Sequence, residues 1–210
     1  MAAAGICIGL VSGCASTHDG HPVRAEATAG VSAKPDITRM SESLVVGRDS
    51  FPAEPGANWR APYMAEHSSS GDPAQCAPLL LDVEHSDDSL ARASLMGENR
   101  NPIFRIDLVL PTEALPDWTS LVEKCRSFGR GDNRFMVKPA SIDALPSSVA
   151  AFRMTISDVD DRESLVVVGN YRGLILYLQV HRKPALTADD TSAAARLFND
   201  QVAKLEAATA

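Results

Sequence analysis

Apolar residues recur at helical spacing in two matching stretches of the chain. The first stretch is formed by Cys76, Leu79, Leu80 and Val83, and the second by Trp118, Leu121, Val122 and Cys125. In both, the positions i, i+3, i+4 and i+7 place the four side chains on one face of a helix. The pattern therefore predicts two amphipathic helices, each with a cysteine on its buried face.

Alternation with a period of two predicts strands. It is clearest at 103–110, where Phe104, Ile106 and Leu108 face one way while Arg105 and Asp107 face the other. A weaker strand at 90–96 precedes it, so the two should form a hairpin with one solvated face. Further strands are expected at 134–138, 149–156, 165–171 and 174–180. The last two are rich in Val and Leu and should be central.

Three other segments complete the predicted domain. Ile37, Met40 and Leu44 have the spacing of a short helix, and 187–205 reads as a final helix that opens on a capping box of Thr187 and Asp190. The Pro- and Gly-rich segment 47–62 is expected to be loop. The order of these elements predicts an α+β fold, with an antiparallel sheet of about five to six strands and helices packed on one face.

Two aromatic residues stand out around the predicted loop. Trp59 and Tyr63 could either close the edge of the hydrophobic core or line a ligand-binding groove. Aromatic side chains beside a core more often fill its edge, so closing the core is the favoured interpretation. The two residues remain the candidate ligand-binding side chains of the chain.

The N-terminus has the pattern of an export signal. A short apolar run leads to Leu10-Val11-Ser12-Gly13-Cys14, which looks like a bacterial lipobox. The run starts at Met1 and is too short to span a membrane, which is typical of a signal peptide. Residues 1–13 contain no Lys or Arg, although a signal peptide usually begins with such residues. We expect a signal peptide at 1–13 and a lipidated Cys14 followed by a flexible linker over 14–35, with the folded domain at 36–208.

Charge and cysteine content agree with an exported protein. With 27 Asp and Glu against 20 Lys and Arg the net charge is −7, which argues against nucleic-acid binding. Membrane contact should come from the lipid anchor alone. Cys7 is removed with the signal peptide and Cys14 is acylated, so Cys76 and Cys125 remain. One disulfide is the simplest outcome in an oxidising compartment, and two free buried thiols are the alternative.

No motif for catalysis, a metal or a cofactor is found. His67, His85 and His181 are scattered, and nucleophile elbows, zinc-protease motifs and phosphate-binding loops are missing. The acidic turn at 158–162 lacks the Gly and terminal Glu of a calcium loop, so we expect a solvated hairpin tip. The sequence predicts neither an enzyme nor a cofactor-dependent protein.

Several short motifs together resemble a known group of proteins. They are the lipobox, the linker, Cys-Ala-Pro-Leu-Leu at 76–80, the helix at 118–125, Tyr-Arg-Gly at 171–173 and the final Ala-rich helix. The chain is similar in these to actinobacterial lipoproteins related to the extracellular sensor domains of receptor Ser/Thr kinases. The resemblance implies an antiparallel sheet flanked by helices, with a cleft for an unidentified ligand. Those sensor domains carry two disulfides, whereas this mature chain can form one.

Two main classes of function follow from these predictions. The first is a ligand-binding or sensing module, anchored on the outer face of the cell membrane, that binds a small or lipidic ligand in a groove. The second is a structural or interaction lipoprotein that recruits an envelope protein and has no such groove. A hydrolase is a third class, without a motif to support it.

Overall fold

The fold is described from a computed structural model, which covers residues 34–66, 75–157 and 163–209. The predicted signal peptide, Cys14, nearly all of the linker and the acidic turn at 158–162 lie outside these ranges and stay predictions. In the covered ranges, no helix is long and apolar enough to cross a membrane.

Eight strands and two α-helices make up the described part of the chain. The strands are β1 Asn58–Met64, β2 His85–Met96, β3 Ile103–Pro111, β4 Ser127–Arg130, β5 Asn133–Ala140, β6 Ala150–Ser157, β7 Glu163–Tyr171 and β8 Leu174–His181. The helices are α1 Trp118–Lys124 and α2 Ala188–Ala207, and short 3-10 turns lie at Glu42–Leu44, Arg48–Ser50, Ala77–Leu80 and Glu98–Arg100.

All eight strands form one antiparallel sheet in the order β1-β2-β3-β8-β7-β6-β5-β4. The predicted α+β class with an antiparallel sheet is confirmed, and β7 and β8 are central as expected. The predicted strand number of five to six is wrong. One of the extra strands, β1, overlaps the predicted loop at 47–62, and the other, the short β4, follows α1.

The sheet is covered on both faces. α2 packs over the face that carries Phe104, Ile106 and Leu108, and we call this the α2 face. α1 packs over the opposite face, which carries Phe152 and Met154, and we call this the α1 face. The expectation that the helices share one face is therefore wrong. The central strands are apolar at successive positions, as at Val166 and Val167, so both faces need a covering layer.

Two predicted helices are only single turns. The N-terminal segment forms a 3-10 turn at Glu42–Leu44, and from its last residue onward the backbone hydrogen-bonds with a side chain of α2. Gln201 accepts from the Val46 amide at 2.9 Å and donates to the Leu44 carbonyl at 2.7 Å. The stretch at 76–83 forms the turn Ala77–Leu80, which ends at Leu81 in the left-handed conformation (φ 63°).

The other two helices form as predicted. α1 begins after Asp117, whose side chain accepts from the Ser120 amide at 3.1 Å. α2 begins with the predicted capping box, since Thr187 and Asp190 each accept a hydrogen bond from the backbone amide of the other. These helix starts are fixed by local residues, which is why the sequence was sufficient to place them.

Candidate functional site

One half of the α1 face is apolar, and a disulfide links the two segments that cover it. Cys76 and Cys125 are bridged, with their Cα atoms 5.7 Å apart, which joins the Ala77–Leu80 turn to the end of α1. The indole nitrogen of Trp118 donates to Asn170 Oδ1 on β7 at 2.7 Å, so α1 is also fixed to the sheet. The predicted disulfide is confirmed, although Cys76 precedes a turn and not a helix.

The other half of the α1 face, on β1, β2 and β3, is polar. Strand register sets Tyr63, Arg92 and Asp107 side by side in one row, and Arg60, Ser94 and Arg105 in the next. Residues directly opposite one another in antiparallel strands project from the same face. These six residues form one surface, which we call the arginine patch.

Asp107 is the centre of the arginine patch. Its side chain is 0% exposed, and its two carboxylate oxygens contact different arginines. Oδ1 accepts a hydrogen bond from Arg92 Nε, and Oδ2 lies 2.8 Å from Arg105 Nε without the angle of a hydrogen bond. A carboxylate buried in this way is stable only because cationic partners compensate its lost hydration.

Tyr63 connects the third arginine to this pair. The guanidinium carbon of Arg60 lies 3.7 Å from the centre of the Tyr63 ring, a cation–π contact. Tyr63 also forms a hydrogen bond with Arg92. Burial by itself would lower the pKa of Arg92, but the charge of Asp107 and the hydrogen bonds to Asp107 and Tyr63 outweigh it and raise that pKa. Arg92 is thus held cationic.

The arginines are fixed at their base but still reach solvent. The side chains of Arg92 and Arg105 are 22% and 29% exposed, and Arg60 is exposed. The patch holds three guanidinium groups and one carboxylate, so it is cationic in a chain whose net charge is −7. Such a group of fixed donors can bind an anion.

The aromatic candidates do not lie together. Trp59 pairs with Leu95 on the α2 face, where its ring meets Phe51 edge-on with the ring centres 4.7 Å apart. Tyr63 lies on the opposite face of the same strand, beyond a register shift between Arg60 and Tyr63. Trp59 thus packs at the core edge, while Tyr63 belongs to the arginine patch.

The central residues of this site are not predicted by the sequence patterns. The alternation at 103–110 predicts that Arg105 and Asp107 lie on a solvated face of a hairpin; this is wrong for Asp107, which is fully buried. Arg92 had no assigned role. A signal was nevertheless present, because charged residues alternate with apolar ones in the strand that carries Arg105 and Asp107. A charged side chain at such a strand position either faces solvent or forms an ion pair with a neighbouring strand.

No candidate metal site is found in the part of the chain that the structure describes. Within the described ranges, no cluster of three or more His, Cys, Asp or Glu side chains could hold a metal ion. His181 lies at the end of β8, where its Nδ1 is 2.9 Å from the Glu163 carbonyl oxygen.

The chain is similar in structure to two mycobacterial proteins. One is an Rv0999 ortholog from Mycobacterium smegmatis, with 17% identity, a TM-score of 0.45 and coverage of 73% of this chain and 91% of that one. The other is the extracellular domain of PknH from Mycobacterium tuberculosis, with 12% identity, a TM-score of 0.47 and coverage of 79% and 98%. No protein-family model and no curated protein matches the sequence. Similarity at this level does not assign a function.

Proposed function

We propose that this chain is a lipid-anchored ligand-binding or sensing module on the outer face of the cell membrane, and that its ligand contacts the arginine patch. The anchor would be Cys14 in the lipobox, which the linker separates from the folded domain. The Cys76–Cys125 disulfide supports an oxidising compartment, because such bonds are rare in the cytosol.

One observation carries the binding role. Asp107 is fully buried and holds Arg92 and Arg105 in place, while the two guanidinium side chains remain 22% and 29% exposed. Fixing long side chains before binding reduces the conformational entropy that a ligand would otherwise have to remove. Stability alone does not require this ion pair, because replacing a buried ion pair by well-packed apolar residues is often neutral or stabilising.

Native mass spectrometry of the protein extracted from its own membrane tests this function. We expect a small molecule to be retained by the wild type and by Arg196→Gln, and to be lost or depleted in Arg60→Gln. Arg60 and Arg196 are both exposed, but Arg196 lies on α2, so the two variants share the change of charge. A co-purified envelope protein, with no small molecule and no effect of Arg60→Gln, would favour the structural lipoprotein instead.

A further inference from the structure

We propose that the group recognised by the arginine patch is a phosphate carried by a water-soluble small molecule. This inference rests on the proposed ligand-binding function and specifies its ligand. It depends on the geometry of Arg60, Ser94 and Arg105, on the contacts of Asp107, and on the character of the surrounding surface.

Ser94 leaves a recess between two arginines. It lies directly between Arg60 on β1 and Arg105 on β3, in one row across three strands. Neighbouring strands are about 4.8 Å apart, so the two arginines start roughly 10 Å from each other. A serine side chain is short, and Ser94 is only 6% exposed, so we infer that the longer arginine side chains rise on either side of it. The Ser94 hydroxyl adds a donor at the floor of the recess.

Arg92 closes the recess from the adjoining row. It lies two residues before Ser94 on β2, and its Nε is directed to Asp107 on β3. The guanidinium group of Arg60 lies over the ring of Tyr63, and Tyr63 also interacts with Arg92. The three arginines thus lie in two adjacent rows of the same face, and we infer that their free N–H groups can reach one bound anion.

A phosphate fits this arrangement better than a carboxylate. A phosphate monoester presents three terminal oxygens in a tetrahedral arrangement, so it can accept from three separate guanidinium groups and a hydroxyl. A carboxylate has two coplanar oxygens and is satisfied by one planar fork. The charge agrees, since three arginines against Asp107 leave two positive charges for a phosphate that carries close to two negative ones.

The surface around the patch favours a soluble ligand over a lipid. Among the described residues, the large hydrophobic side chains exposed by more than a third are Leu115 at 39% and Met136 at 38%. Met136 lies on β5, on the opposite face of the sheet, and Leu115 precedes α1. Neither belongs to β1, β2 or β3, so the strands that carry the patch have no strongly exposed large hydrophobic side chain to hold acyl chains beside the bound phosphate.

The test is a calorimetric titration of the full chain, in detergent and chloride buffer, with inorganic phosphate. We expect saturable binding below about 10 mM, displaced by soluble phosphorylethanolamine and not by acetate. Displacement by phosphatidic acid in mixed micelles but not by phosphorylethanolamine would show that the phosphate belongs to a lipid and not to a soluble molecule. Equal displacement by acetate would overturn the preference for phosphate, and so would the absence of saturable binding.

Three variants locate the bound phosphate. Arg60→Gln should weaken phosphate binding at least about tenfold without disturbing Asp107, because it removes a charge-assisted hydrogen bond. Ser94→Val, which keeps every charge and suits a strand, should weaken it at least as much by filling the recess. Arg196→Gln should bind as the wild type does. Undiminished binding in both Arg60→Gln and Ser94→Val would place the phosphate elsewhere and refute the proposal.

This proposal and the proposed function fail in different ways. A retained ligand that lacks phosphate, detected by native mass spectrometry and dependent on Arg60, would refute the phosphate and leave the ligand-binding function standing. A co-purified protein without any small molecule would refute the ligand-binding function itself.

Discussion

The phenol of Tyr177 donates a hydrogen bond of 3.0 Å to the backbone carbonyl of Leu79. Tyr177 lies in the middle of the sheet on β8, and Leu79 lies in the turn next to Cys76, so this bond joins the covering layer of the α1 face to the strands beneath it. Both residues are buried, at 1% and 0% exposure. A buried carbonyl that loses its donor has no solvent to replace it.

Tyr177→Phe should therefore lower the free energy of unfolding by about 1–3 kcal/mol. Denaturant melts at neutral pH, with the disulfide intact, measure this loss. A stability within about 0.5 kcal/mol of the wild type would show that the Leu79 carbonyl is satisfied in another way.

Alkaline pH should destabilise the protein through the same residue. Burial raises the pKa of Tyr177 well above its ordinary value of 10, so the folded chain keeps a proton that the unfolded chain loses. The contribution is fully present below pH 10 and is lost as the pH rises above it. Melts at pH 8 to 11 should show this decline in the wild type, and less of it in Tyr177→Phe.

Reduction of the Cys76–Cys125 disulfide should lower the melting temperature but leave a folded state. The bridge spans 49 residues, for which the chain-entropy estimate is about 4 kcal/mol, and the sheet retains its core without it. Peptide mapping of unreduced protein should show the cross-linked pair. Quantitative alkylation of both thiols in native, unreduced protein would contradict the bridge.

Asp107→Asn should destabilise the protein by about 3 kcal/mol, because it leaves Arg92 and Arg105 without their counter-charge. The loss should be at the low end for a broken buried pair, since both guanidinium groups reach solvent. Asp132→Asn is the matched control, because Asp132 is exposed in the turn between β4 and β5. That control should change stability by less than about 0.5 kcal/mol.

Trp59→Ala and Tyr63→Ala should have opposite effects. Trp59 packs on Phe51 on the α2 face, so its loss should cost about 3 kcal/mol of stability and leave phosphate binding unchanged. Tyr63 supports Arg60 on the other face, so its loss should weaken phosphate binding several-fold. The reverse pattern would show that Trp59, and not Tyr63, contacts the ligand.

Cys14→Ser should abolish membrane anchoring. When it is expressed in an actinobacterium that processes lipoproteins, the wild type should partition into detergent. The variant should move to the aqueous phase or remain uncleaved. Two acyl chains provide stable anchoring at about 0.8 kcal/mol per buried CH₂ group. Identical partitioning of the two proteins would contradict a lipid anchor at Cys14.

The sequence by itself determined the elements whose causes are local. The capping box of Thr187 and Asp190 and the spacing from Ala194 to Leu205 fixed α2, and α1 and the apolar strands β7 and β8 were legible in the same way. The disulfide partners followed from counting cysteines. The helices and strands depend on interactions within a few residues, and two remaining cysteines allow only one pairing.

The tertiary structure alone decided which elements share a face. Phe104 and Phe152 follow the same alternation, but strand order and register set them on opposite faces of the sheet. The same register made Asp107 a buried ion-pair centre, because Arg92 comes from a neighbouring strand and contacts the carboxylate together with Arg105. Periodicity shows that two sets of side chains point in opposite directions along a strand, and only packing determines what covers each set.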